Sequence, residues 1–155
     1  MESLDLIIGI LFIILSYILG SIPFGVVLGK LICKKDIREY GSKNIGTTNA
    51  IRVLGKKVGY LVFLCDVLKG AIVIILIKIL AATGVWTNPA EIDLFIYGAA
   101  GVLGHCFSIF LGFKGGKAVA TSLGVVLILT PIPAICCLIV FAILFYLTGY
   151  VSLGS

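Results

Sequence analysis

Residues 6–28 carry no charged side chain, and three further apolar stretches follow at 58–82, 94–113 and 118–147. The first is 23 residues long. At about 1.5 Å rise per residue, such a helix crosses a hydrocarbon core of about 30 Å with some tilt. Only 12% of the 155 residues are charged, roughly half the share in a soluble domain. The chain therefore reads as an all-α, polytopic integral membrane protein, a single membrane domain over residues 1–155. Four or five transmembrane helices are expected, near 6–28, 58–82, 94–113, 118–129 and 134–147, joined by cytoplasmic glycine-rich loops. The first stretch reads as a retained helix: it is flanked by Glu2 and Asp5 rather than cations, exceeds a signal-peptide core in length, and has no A-x-A site after it.

The last apolar stretch is interrupted by TPIP at 130–133. Two prolines, each lacking an N–H, end one helix and begin another, so a hairpin of 118–129 and 134–147 is expected. Each arm is short for a crossing and needs tilt or a thin bilayer.

Charge sets the expected orientation. Residues 30–57 hold eight cations (Lys30, Lys34, Lys35, Arg38, Lys43, Arg52, Lys56, Lys57) against Asp36 and Glu39, and Lys114 and Lys117 follow the third stretch. Residues 83–93 hold Glu91 and Asp93 and no cation. The positive-inside rule puts 30–57 and 114–117 in the cytoplasm, and the N-terminus and 83–93 outside. Five cysteines (Cys33, Cys65, Cys106, Cys136, Cys137) show no C-x-x-C spacing. They read as small apolar residues in helices, and no metal site is expected.

Two polar loops stand out against this background. GSKNIGTTNAIR at 41–52 offers glycines that permit positive φ, hydroxyl and amide donors, and an arginine able to grip a phosphate with two bonds. FKGGK at 113–117 sets two glycines between two lysines directly before an apolar helix, whose N-terminus is itself an anion site. Both loops are expected on one membrane face. Neither is a Walker loop, because Leu111 stands where the first glycine should be, and no G-x-G-x-x-G occurs.

Some polar residues lie deeper. Asp66 and Lys69, three apart, are expected to pair, and Lys78 to snorkel. Gly98, Gly101 and Gly104 line one helix face, a close-packing surface for a neighbouring helix. His105, the only histidine, reads as a hydrogen-bonding residue across helices, with general base as the alternative.

The stretches GSIPFG (20–25), GSKNIGTTNAIRVLG (41–55), DVLKG (66–70), GHCFSIFLGFKGGKAVAT (104–121) and VSLGS (151–155) resemble, in order and over nearly the whole chain, the bacterial acyl-phosphate:glycerol-3-phosphate acyltransferases of the PlsY family. The resemblance implies an enzyme of the bacterial cell membrane. It would move a fatty acyl group from acyl phosphate to the 1-hydroxyl of glycerol 3-phosphate, giving lysophosphatidic acid for phospholipid synthesis. It implies no cofactor and no metal, membrane lipids as surroundings and no nucleic-acid partner. Ser42, Arg52 and Lys114 fall on the catalytic positions. Substrate contacts fall on Gly41, Asn44, Gly46, Thr47, Thr48, Asn49, His105, Gly115, Gly116 and Lys117, and on Ser152, Gly154 and Ser155. The histidine-and-aspartate acyltransferase pattern is absent, since Phe110 stands five residues after His105. Ala118, Ser108 and Gly149 depart from the family's usual glycine, proline and basic residue. The family continues into a C-terminal segment with a functional His, Asn and Glu, so a truncated form is expected here. The rival readings are an inactive fragment of such an enzyme and a small anion transporter. A transporter should place charges at the midplane in paired repeats, and no internal repeat is found.

Overall fold

The computed structural model describes residues 2–87 and 92–148. The described residues are helical, with no strand: α1 (Glu2–Ser21), α2 (Phe24–Cys33), a 3-10 turn (Ile37–Glu39), α3 (Thr47–Leu54), α4 (Lys56–Ala82), α5 (Leu94–Cys106), a second 3-10 turn (Ile109–Leu111), α6 (Val119–Leu129) and α7 (Pro131–Thr148). Three apolar segments are long enough to cross a membrane, Ser3–Ser21, Lys56–Ala82 and Leu94–Leu111, while α2, α6 and α7 provide shorter apolar helices.

The expected single span at 6–28 is two helices. Pro23 has no N–H to continue the helix and pushes Ile22 out of the helical region, so the chain breaks between Ser21 and Phe24. The expected span at 94–113 also stops early, with the α-helix ending at Cys106. There the Tyr17 hydroxyl donates to the Phe107 carbonyl at 2.6 Å and the Ser108 hydroxyl donates to the Ser21 carbonyl. These two bonds tie the segment after α5 to the end of α1. The TPIP break is found, but α7 begins at Pro131 rather than at residue 134. Proline suits a first helical turn, whose N–H groups have no partner within the helix.

Small residues set the helix crossings. A Cβ on Gly20 would overlap the Gly101 carbonyl, and one on Gly104 would overlap the Tyr17 carbonyl, so α1 and α5 pass almost backbone to backbone. On α4 and α6, Gly70 meets the Thr121 carbonyl and Gly124 the Val67 carbonyl in the same way. Val73, Ile74, Ile77, Trp86, Tyr97 and Val125 form one buried cluster, and Val26, Ile37, Ile45, Ala50 and Val62 a second one around α2 and α3. Leu11, Ile14, Leu64, Leu68 and Ile72 are among the large apolar side chains left on the outside, as a lipid-facing surface requires.

Candidate functional site

The first polar loop is built around Asn49. Its amide NH2 donates to the carbonyls of Ile37 (2.9 Å), Tyr40 (3.2 Å) and Asn44 (2.9 Å), while its side-chain oxygen accepts the Ser42 N–H at 3.0 Å. Asn49 is buried, at 2% exposure, so it holds the loop's shape rather than facing a ligand. Gly41 (φ 59°) and Lys43 (φ 58°) take the left-handed conformation that the tight path demands. Asn44 accepts the Gly46 N–H at 2.9 Å, and α3 then starts at Thr47 with no side-chain cap on its N-terminus. The Thr47 hydroxyl is buried without a hydrogen-bond partner, whereas Thr48 faces outward. Arg52, in the last turn of α3, returns to the loop: its Cδ lies 3.4 Å from where a Gly41 Cβ would stand. Gly41 and Arg52 are thus neighbours, and the side chains of Ser42 and Arg52 are both exposed.

Just before this loop, Asp36 accepts from the Arg38 backbone N–H (3.1 Å), Nε (2.9 Å) and Nη2 (2.6 Å), with Lys30 Nζ at 3.1 Å. The Arg38 guanidinium holds the Asp36 carboxyl well below the usual carboxylate range, and Lys30 adds to the effect.

The second loop folds back onto the end of α5. Gly115 N–H donates to the Cys106 carbonyl at 2.9 Å and Gly116 N–H to the His105 carbonyl at 3.0 Å. A Cβ on Gly115 would overlap the His105 carbonyl, and one on Gly116 would overlap His105 Nε2. The two glycines are needed for close approach, and their N–H groups are already spent. Donors that remain at this loop are the first-turn amides of α6, which begins at Val119 after Ala118 in the left-handed conformation. Lys114 and Lys117 are exposed. Among the described residues, Arg52, Lys114 and Lys117 form no ion pair.

The loops meet. A Gly116 Cβ would stand 3.2 Å from Ile45 Cγ1, and Ile45 is itself packed against Gly25 at the start of α2. Both therefore lie at one end of the helix bundle. Beneath them is a buried polar group that sequence reading assembled only in part. Lys69 Nζ is 2.8 Å from Asp66 Oδ1, as the three-residue spacing predicts, and donates to the Ile22 carbonyl at 2.7 Å. His105 Nδ1 lies 3.2 Å from Thr121 Oγ1 and 3.7 Å from Asp66 Oδ1. The expected hydrogen bond from His105 across helices is present, and its ring lies below the site rather than on its open face. The Thr121 connection carries no signal in the sequence. Lys78 does not merely snorkel, since it donates to the Ile128 carbonyl at the end of α6, 2.9 Å away. Ser152, Gly154 and Ser155 lie outside the described residues.

A family model described as glycerol-3-phosphate acyltransferase matches residues 10–155. Among curated relatives, glycerol-3-phosphate acyltransferase 2 of Bacillus anthracis is 49% identical over 146 residues, covering 94% of this chain and 73% of its own length. The glycerol-3-phosphate acyltransferase of Desulfotalea psychrophila is 48% identical, with coverage of 94% and 72%. That of Enterococcus faecalis is 49% identical, and this chain spans 64% of its length. Among solved structures, PlsY (YgiH), an integral membrane glycerol 3-phosphate acyltransferase in its glycerol 3-phosphate form, superposes with a TM-score of 0.80 at 43% identity. The match covers 94% of this chain and 69% of that one.

Proposed function

The chain belongs to the glycerol-3-phosphate acyltransferase family, integral membrane enzymes of phospholipid synthesis, and on that premise we propose that its acyl donor is acyl phosphate. The acyl group goes to the 1-hydroxyl of glycerol 3-phosphate, giving lysophosphatidic acid and inorganic phosphate. One observation carries this reading: three exposed cations that form no ion pair among the described residues, Arg52 at the end of α3 and Lys114 and Lys117 on the glycine-rich loop, flank two loops that touch through Ile45 and Gly116. Two phosphate-bearing substrates need such a paired cationic mouth at the edge of a lipid phase. A transporter finds no support in relatives that are named acyltransferases.

In the proposed reaction the glycerol 3-phosphate hydroxyl oxygen attacks the acyl carbonyl carbon and the carbon–oxygen bond to phosphate breaks. The hydroxyl proton leaves with phosphate, the family's substrate-assisted route. Phosphate is already a good leaving group, so no acyl-enzyme is required. Arg52 and Lys114 hold the substrate phosphates and Ser42 orients substrate, while the positive field of the mouth as a whole offsets the charge that develops on the departing phosphate. Most of the rate then comes from juxtaposition. Gly41, Asn44, Gly46, Thr47 and Thr48 shape the first loop's side of the mouth, and Lys117 the other. The mouth faces the cytoplasm of a bacterial cell, in keeping with the eight cations in residues 30–57.

The test is a radiolabel assay of the purified protein in lipid, with glycerol 3-phosphate and either acyl phosphate or an acyl thioester. Labelled lysophosphatidic acid from acyl phosphate, undiminished by EDTA, is expected. Product from the thioester alone overturns the donor assignment.

A further inference from the structure

The buried group under the loops joins four pieces of the bundle. Asp66 and Lys69 come from α4, His105 from α5, Thr121 from α6, and the Ile22 carbonyl from the break between α1 and α2. Lys69 also sits 5.6 Å from the centre of the Phe24 ring. Two charges this deep in an apolar bundle are costly, and a well-packed apolar pair of similar volume would serve stability as well or better. What an apolar pair cannot do is fix the orientation of an imidazole. Asp66 Oδ1 is buried and receives no aligned hydrogen bond; what faces it is the Lys69 ammonium and His105 Nδ1. Thr121, at 0% exposure, takes the same ring nitrogen. The Nδ1 edge of His105 is therefore gripped on two sides.

The opposite edge of that ring supports the glycine-rich loop. Gly116 packs against Nε2 with no room for a Cβ, and the His105 and Cys106 carbonyls take the Gly116 and Gly115 amides. A tilt of the imidazole would push Gly116, and with it the lysines on either side. We propose that Asp66, Lys69 and Thr121 are positioning residues for the site: acting through the His105 ring, they fix the loop that carries Lys114 and Lys117. They touch no substrate. The proposal takes the loop to be the phosphate-holding element of the function above, and so rests on that reading.

Thr121 gives the cleanest test, because Thr121→Val keeps the volume and loses the hydroxyl, while Thr121→Ser does the reverse. If the hydroxyl positions His105, Thr121→Val raises the KM for glycerol 3-phosphate about tenfold, with kcat within about twofold of the parent, and Thr121→Ser behaves like the parent. Hydrogen exchange across residues 113–118 should rise about tenfold in Thr121→Val alone, because the Gly115 and Gly116 bonds open more often. A residue that merely fills space gives the opposite ranking, with Val parental and Ser impaired, and that ranking overturns the proposal. The double variant Asp66→Asn with Lys69→Met removes both charges together and leaves neither unpaired. Faster exchange of 113–118 is expected there, and parental exchange overturns the proposal. Should the parent make no product from glycerol 3-phosphate while exchange still follows the Thr121 hydroxyl, the proposed function fails and the positioning role stands.

Discussion

Gly20 of α1 and Gly101 of α5 cross so closely that a single Cβ on Gly20 would occupy the space of the Gly101 carbonyl oxygen. Ser16, one turn earlier on α1, strengthens the crossing by donating to the Tyr97 carbonyl at 2.6 Å. In lipid, where tails are as apolar as any side chain, such contact and such bonds are what hold helices together. Gly20→Ala should therefore force the helices apart and cost about 1–3 kcal/mol, as overpacking does. Ala99→Leu, on the exposed side of α5, should change stability by no more than about 0.5 kcal/mol. Thermal unfolding of both variants in one detergent checks this, and equal midpoints would mean that the helices have room for a Cβ at this crossing.

Membrane class and the two loops are legible in the sequence because both are written locally, in runs of apolar residues and in clusters of Gly, Asn, Thr and cations. Breaks within apolar runs are less so. Pro23 sits between Ser21 and Phe24 in a stretch without charge, and apolarity alone masks the end of a helix there. The close-packing face of Gly98, Gly101 and Gly104 is visible as a three-residue repeat, yet its partners, α1 for Gly101 and Gly104 and Val125 of α6 for Gly98, are set by tertiary packing. Gly115 and Gly116 are the most instructive case. Glycine beside lysine before a helix suggests a phosphate-binding loop, and here its lack of a Cβ also serves contact with His105. Composition cannot tell these two uses of glycine apart, because both require only that the side chain be missing.

Asn49→Asp keeps an acceptor for the Ser42 N–H and removes the amide that serves three carbonyls. Carboxylate oxygens would then face the carbonyls of Ile37, Tyr40 and Asn44. Each buried group left unsatisfied costs about 1–3 kcal/mol. The variant should show a lower unfolding midpoint and faster hydrogen exchange over residues 40–49. Parental exchange there would mean that the loop holds its shape without Asn49.

Asp36 supplies a pH dependence. Arg38 first, and Lys30 with it, hold its carboxyl below the ordinary value. A depressed folded-state value makes the contribution to stability fully present above the unfolded carboxylate value of about 3.9, and it is lost as pH falls below that. Asp36→Asn should thus lower the unfolding midpoint at pH 7. The gap to the parent should narrow only as the medium is acidified below about pH 4. A gap that is constant from pH 7 down to pH 3 would remove the ion pair from the account.

The orientation proposed from the cation distribution can be read chemically. Lys43, Lys56 and Lys117 are all exposed at their loops or helix start, and they should escape an impermeant amine reagent in intact cells and react once the membrane is permeabilised. Labelling of Lys43 in intact cells would place the first loop outside.

Arg52 offers the sharpest test of the mouth itself. Its guanidinium is exposed beside Gly41 and is engaged by no carboxylate among the described residues, so its planar fork is free for a phosphate. Arg52→Lys preserves the charge and loses the second parallel bond. If Arg52 grips glycerol 3-phosphate in the ground state and the transition state alike, the change raises KM and spares kcat. One charge-assisted bond is worth about 1–3 kcal/mol, which corresponds to a rise of about fivefold to 140-fold in KM at about 1.4 kcal/mol per decade. A fall in kcat at unchanged KM would instead assign Arg52 to the departing phosphate, where charge appears only as the acyl bond breaks. Steady-state kinetics with glycerol 3-phosphate varied at saturating acyl phosphate separates the two, and unchanged kinetics in both parameters would take Arg52 out of the site.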